Sequence, residues 1–105
     1  MPALVVVVKD VGGFVPDYQT QTEIYRLTGR EVRWHECRSA CTLALSHPNM
    51  CVYKDSTLKF HLAYDPRDRA VNPQVSQQMF ESYPEAIQAR LGSLTRDYKV
   101  LRGTN

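Results

Sequence analysis

Leu4-Val5-Val6-Val7-Val8 is an unbroken aliphatic run, almost wholly β-branched, with no polar residue between its members. Such runs form strands covered on both faces, as in parallel sheets, whereas half-exposed strands alternate. A parallel neighbour needs a crossover connection, and the next stretch supplies one. Lys9 to Gly13 ends the strand in a Gly pair, which lets the backbone take positive φ or approach another segment closely. Pro16-Asp17 then opens a helix and Gly29 stops it, with Tyr18, Ile24, Tyr25 and Leu27 as a loose apolar face. Glu31 to His35 alternates and reads as the second strand. The pattern predicts Leu4–Val8 and Val32–His35 as a parallel pair with the helix crossing between them.

The remaining elements continue the alternation of strand and helix. Ser39 to Leu45, rich in Ala and Leu, stops at His47-Pro48 and reads as a short buried helix. Met50–Tyr53 and Leu58–Tyr64 read as strands separated by turn chemistry at Asp55-Ser56-Thr57. Asp65 to Asn72 is a charged loop containing Pro66. Asn72-Pro73 caps a helix whose apolar stripe is Val75, Met79, Phe80 and Tyr83. Pro84 restarts that helix, Ile87 and Leu91 continue it, and Gly92 ends it. Tyr98 to Leu101 reads as a last short strand. The order indicates one α/β domain over residues 1–105, and 105 residues leave room for a single modest core.

Composition excludes several function classes. The net charge is only +2. Arg26, Arg30, Arg33, Arg67 and Arg69 are interleaved with Glu23, Glu31, Asp65 and Asp68, the pattern of a solvated surface, so no nucleic-acid partner is expected. No stretch approaches the roughly 20 apolar residues of a membrane span. The Leu4–Val8 run is too short for a secretory signal and has no basic residue before it, so a cytoplasmic location is expected, with a trimmed periplasmic form as the alternative. The three cysteines cannot complete a disulfide framework within the chain. A reducing compartment is the simpler expectation; a Cys41–Cys51 bridge with one free thiol is the other. His35, Cys37, Cys41 and Cys51 can be written as four zinc ligands, but Cys41 would lie inside an apolar helix and Cys51 in an apolar strand, which suits buried thiols better. A thiolate nucleophile at Cys37 or Cys41 is a further alternative near a helix N-terminus.

The stretch Cys37-Arg38-Ser39-Ala40-Cys41-Thr42 carries the chemistry. Ser39 stands after a strand and at the mouth of a helix, where backbone N–H groups can stabilise an oxyanion. His61, beside Phe60, supplies an imidazole, and Gly12-Gly13 supplies further N–H donors. A hydroxyl nucleophile, an imidazole base and a Gly-rich oxyanion loop are the parts acyl transfer needs. Each also has a plainer use: Ser39 as a helix cap, His61 as a structural side chain, Gly12-Gly13 as a turn.

Gly12-Gly13, Ser39-Ala40-Cys41-Thr42 and Phe60-His61, in this order, resemble the superfamily of the Clp protease proteolytic subunit and crotonase, above all small bacterial proteins with a Ser-Ala-Cys-Thr motif. The likeness covers Leu4 to Tyr64. It implies a spiral of strand-strand-helix units with a mainly parallel sheet, shortened at its N-terminus. It also implies a serine hydrolase acting on a peptide or acyl substrate, with neither metal nor organic cofactor. Ser39 would be the nucleophile, His61 the general base, and the N–H groups of Gly13 and Ala40 the oxyanion hole. Asp97, in Thr95-Arg96-Asp97, is the candidate third member, with Asp65 as runner-up. Assembly is common among such proteins, so a homo-oligomer is expected, with the Val75–Leu91 helix as contact. Two positions depart from the pattern: Val11 where the proteases have Pro, and Arg38 where a small residue is usual. A guanidinium beside the nucleophile is placed to lower its pKa or to block the pocket. The rival expectation is a non-catalytic structural or interaction module that keeps the fold.

Overall fold

The computed structural model describes residues 3–65 and 67–102. It is a small α/β domain built on a four-stranded mixed sheet of order β1-β2-β3-β4. The strands are β1 (Val5–Asp10), β2 (Val32–Arg38), β3 (Met50–Phe60) and β4 (Lys99–Arg102). The first two pair in parallel, Val5 beside Val32 and Asp10 beside Cys37, with α1 (Val15–Thr28) crossing between them. Gly29 ends α1 in the left-handed region at φ 69°, its N–H donating to Tyr25 O at 2.9 Å. β2 and β3 are also parallel, joined by a 3₁₀ helix over Ser39–Ser46. β4 closes the sheet antiparallel to β3, Lys99 lying beside Phe60.

One core holds these elements together. Val32, Trp34 and Cys37 of β2 and Leu58 and Phe60 of β3 are buried beneath the 3₁₀ helix, whose residues Ala40 to Leu45 are all buried. The stripe expected on the late helix packs onto this core through Met79, Tyr83 and Leu91. Tyr83-Pro84 splits that helix into α2 (Pro73–Ser82) and α3 (Glu85–Leu91), because proline has no N–H to continue the ladder. The Asn72 side chain caps α2 by accepting from Val75 N at 3.0 Å.

Three expectations are corrected. β1 is not covered on both faces: Val5 and Val7 pack on the core, but Val6 and Val8 are 45% and 70% exposed. Nothing in a Val run distinguishes its two faces, and β1 is an edge strand. Second, the turn expected at Asp55-Ser56-Thr57 is absent, and Met50 to Phe60 is one strand with a register shift opposite Trp34 and Glu36. Ser56 carries the chain through this irregularity. Buried at 1% exposure, its hydroxyl donates to Trp34 O at 2.5 Å and accepts from Tyr53 N at 2.6 Å. A turn-forming side chain thus satisfies backbone groups that the shifted ladder leaves unpaired. Third, β3 ends at Phe60 and does not continue to Tyr64. Beyond it Leu62 N donates to Thr95 O at 2.8 Å, and Tyr64 forms an isolated bridge with Val71 across the charged loop. Pro66 of that loop lies outside the described residues.

Candidate active site

Parallel topology brings the candidate residues together. Gly12-Gly13 follow β1, Ser39 follows β2 and His61 follows β3, so all three leave the carboxyl ends of adjacent parallel strands. That edge is where open α/β sheets bind ligands. Tyr98 precedes antiparallel β4 and reaches the same edge. A cavity of about 770 Å³ opens there, lined by Gly12, Gly13, Arg38, Ser39, His61 and Tyr98 among others.

The Ser39 turn is built to an unusual shape. Ser39 has φ 62°, in the left-handed region that non-glycine residues seldom enter. Such a conformation persists only where its surroundings enforce it, and three contacts do so here. Gly12, at φ 87°, is pressed against the turn: a Cβ at Gly12 would lie 2.7 Å from both Arg38 O and Ser39 Cβ. Thr42 Oγ1 donates to Ser39 O at 2.6 Å, which leaves Thr42 Oγ1 to accept from Tyr83 O–H at 2.6 Å. A disulfide joins Cys37 to Cys41 across the turn, Cα to Cα 5.6 Å. Asp10 fixes the facing loop, its Oδ1 accepting from Gly12 N at 2.9 Å and from Tyr18 O–H at 2.7 Å. Burial pushes both Tyr83 and Tyr18 up to about 12, and Asp10 adds to the rise at Tyr18, so both phenols remain donors.

His61 is buried at 6% exposure. Its Nδ1 lies 2.6 Å from Leu62 O. A carbonyl only accepts, so Nδ1 carries the proton and Nε2 keeps a lone pair. The ring meets Tyr98 edge-on at 4.8 Å between centroids. Burial holds the His61 pKa below its ordinary 6.5, and the Arg38 charge pushes in the same direction against the Leu62 hydrogen bond. The neutral imidazole that a general base requires is therefore favoured. The other two histidines serve elsewhere: His47 Nε2 bonds Arg30 O at 2.7 Å, and His35 stacks on Tyr53 at 4.0 Å.

Among the described residues no hydrogen bond joins Ser39 to His61, although both line one cavity. Asp97 is exposed and does not line it; the Nδ1 position that an acid would take is held by Leu62 O. Asp65 lines the cavity, but its carboxylate is paired with Arg67 at 3.0 Å, which holds its pKa down. Gly13 N donates to no protein acceptor among the described residues, and Ala40 N lies in the first turn of the 3₁₀ helix, where N–H groups lack intrahelical partners. The cysteine expectations change. The bridge is Cys37–Cys41 and not Cys41–Cys51, and Cys51 is free and exposed. This removes two of the four residues written as zinc ligands and both candidate thiolates.

The sequence reading missed Tyr98 and the Leu62 carbonyl as parts of the site. Tyr98 carries no local signal, since only the antiparallel return of β4 brings it to His61. The Cys37–Cys41 spacing, one helical turn across a motif serine, is a signal that was present. Comparison with known proteins finds no matching family, no matching curated protein and no matching solved structure.

Proposed function

We propose that the chain is a serine hydrolase of the Clp protease and crotonase type, cleaving an ester, thioester or amide bond of a peptide or acyl substrate. The observation that supports this most is the left-handed Ser39, held at a strand-to-helix turn by Gly12 and facing the same cavity as His61. A sharp turn of this kind exposes a serine hydroxyl that an ordinary helix cap would fold back onto the helix. In the reaction Ser39 Oγ attacks the carbonyl carbon while His61 Nε2 takes its proton. The developing oxyanion is met by the N–H groups of Gly13 and Ala40. His61 then returns the proton to the leaving group, and water repeats the sequence on the acyl-enzyme. Leu62 O holds the imidazole tautomer, the task an acid performs in a triad.

A fluorophosphonate probe tests this. Ser39 should be labelled, and both Ser39→Ala and His61→Ala should abolish labelling while Cys51→Ser leaves it intact. Labelling that survives Ser39→Ala refutes the assignment. The missing Ser39–His61 hydrogen bond favours the second reading, a non-catalytic interaction module, and an unlabelled wild type would select it. Catalytic contacts commonly tighten only when substrate binds.

Assembly and location belong to the same proposal. The α2–α3 stripe is used in the core, so a homo-oligomer would form through the open side of β1, where Val6 and Val8 are exposed. No described helix is long and apolar enough to cross a membrane. The Cys37–Cys41 bridge favours the oxidising, periplasmic alternative over the cytoplasm, where thiols are kept reduced.

A further inference from the structure

The charge of the cavity points to the kind of substrate it takes. Two cations line it, Arg38 and Arg67. Arg67 is neutralised by Asp65 at 3.0 Å. Arg38 makes no ion pair among the described residues, and its Nε is buried without a hydrogen-bond partner. Its guanidinium carbon sits 5.7 Å over the Tyr98 ring, the ring that also meets His61 edge-on. A buried, unpaired guanidinium N–H is costly unless a ligand completes it. The planar fork of arginine matches the paired oxygens of a carboxylate or a phosphate, and of the two it is the carboxylate that a peptide or acyl substrate carries. Arg38 and Ser39 line the same cavity, so an anion on the arginine fork shares that cavity with a carbonyl at the nucleophile.

We infer that Arg38 is the specificity residue of this cavity, binding a substrate carboxylate held in the same cavity as the scissile carbonyl. This rests on the hydrolase reading for the word substrate, but the binding site stands on the Arg38 geometry alone. Two sources share the chemistry: the C-terminal carboxylate of a peptide, on the leaving side of the bond, and the free acid of a dicarboxylic monoester, on the acyl side. Tyr98 holds the guanidinium over the cavity and His61 stands beside it. A bound carboxylate offsets the Arg38 charge felt by His61, so anion binding and His61 protonation favour one another.

The experiment is an NMR titration of full-length Ser39→Ala, which cannot turn the ligand over. The ligands are N-acetylglycine, its neutral amide, and monomethyl succinate. The carboxylates should bind saturably, shifting signals of Arg38, His61 and Tyr98, about ten-fold or more tighter than the amide. They should also raise the His61 pKa. Arg38→Gln should remove the preference for acid over amide, and Arg38→Lys should keep part of it. Tighter binding of N-acetylglycine than of the monoester assigns the leaving side, and the reverse assigns the acyl side. Equal binding of acid and amide, absence of saturable binding, or an unchanged preference in folded Arg38→Gln overturns the inference. Fluorophosphonate labelling of the wild type separates the two ideas. Carboxylate binding without labelling keeps the Arg38 site and discards the hydrolase, while labelling without binding does the opposite.

Discussion

The two walls of the cavity are held in different ways. The Ser39 wall is braced from inside the protein: by Gly12 in van der Waals contact, by the buried Thr42–Tyr83 pair and by the Cys37–Cys41 bridge. The Asp65–Asn72 wall is braced at the surface, by the Asp65–Arg67 pair and by Arg69 over the Tyr64 ring at 5.1 Å. Both walls contain a non-glycine residue at positive φ, Ser39 at 62° and Arg69 at 61°. The difference is in what enforces it. Arg69 completes a tight loop closed by its own backbone, with Arg69 N donating to Asp65 O at 2.8 Å. Ser39 depends on Gly12 from the loop after β1, on the bridge from Cys37 of β2 and on Thr42 of its own helix, itself held by Tyr83. The strained conformation at Ser39 is thus held from outside its own helix as well as within it.

The sharpest way to break this contrast is Gly12→Ala. The new Cβ would meet Arg38 O at 2.7 Å, and backbone cannot swing away as a long side chain can. Alanine at φ 87° adds strain of its own. The expected cost is about 3 kcal/mol or more, read by chemical denaturation, with loss of fluorophosphonate labelling. Gly29→Ala is the control, since a Cβ there meets nothing within 4 Å, leaving only the strain of its positive φ. Equal destabilisation by both would mean that Gly12 supports only its own turn.

Breaking the disulfide comes next. The bridge closes a loop of sequence separation 4, and a loop so short contributes about 2 kcal/mol through the unfolded state. Cys37→Ala with Cys41→Ala should lower stability by about that amount and slow Ser39 labelling. Cys51→Ser should change neither. If the double variant labels at the wild-type rate, the bridge does not brace the Ser39 turn.

How much of this was legible in the sequence follows the same division. The β1-α1-β2 unit was readable because each signal is local: a Val run, a Gly pair, a helix stop at Gly29. Gly12-Gly13, Ser39 and His61 were readable as parts, since a hydroxyl, an imidazole and the missing side chain of glycine are each announced by residue type. What joins them was not. The role of Leu62 belongs to a backbone carbonyl, which no residue type announces. Ser56 has the same side chain whether it turns the chain or satisfies a bulge. The four-residue spacing of Cys37 and Cys41 was a signal, but spacing alone does not choose Cys37 over Cys51 as the partner of Cys41. The exposure of Val6 and Val8 depended on β1 lying at the edge of the sheet.

A smaller effect tests the electrostatic side of the braced wall. The folded His61 pKa lies below its ordinary 6.5, by burial first and the Arg38 charge second. His61 is thus neutral further into acid, and under the proposed mechanism the labelling rate should fall only below pH 6.5. Arg38→Gln should move that limb upward, because the charge opposing protonation is gone. Stability has a matching sign. The unfolded histidine binds its proton at the higher pH, so the contribution of His61 is complete above about pH 6.5 and is lost as pH falls. Labelling rates and denaturation midpoints from about pH 5 to 8 read both effects. An acid limb at or above 6.5 in the wild type would mean that His61 is not buried as the fold places it.

The smallest effect belongs to the surface-braced wall. The Arg67 side chain is 88% exposed, and an ion pair in water is screened and entropically costly to hold. Arg67→Ala keeps the backbone bond from Arg67 N to Asp65 Oδ1, 2.8 Å long, so the turn survives the loss of the guanidinium. The melting temperature should stay within about 1 °C of wild type. Carboxylate binding should nevertheless weaken slightly, because Asp65 then faces the cavity without its partner and repels the ligand at a distance. The loss should shrink with added salt, as exposed charges do. It should vanish when Asp65→Asn is added, whereas no change at Asp65 should rescue Arg38→Gln. That asymmetry separates a cation that masks an acid from one that binds the ligand itself. If Arg67→Ala instead weakens binding as much as Arg38→Gln and Asp65→Asn does not restore it, the two walls share the work of recognition and the contrast between them fails.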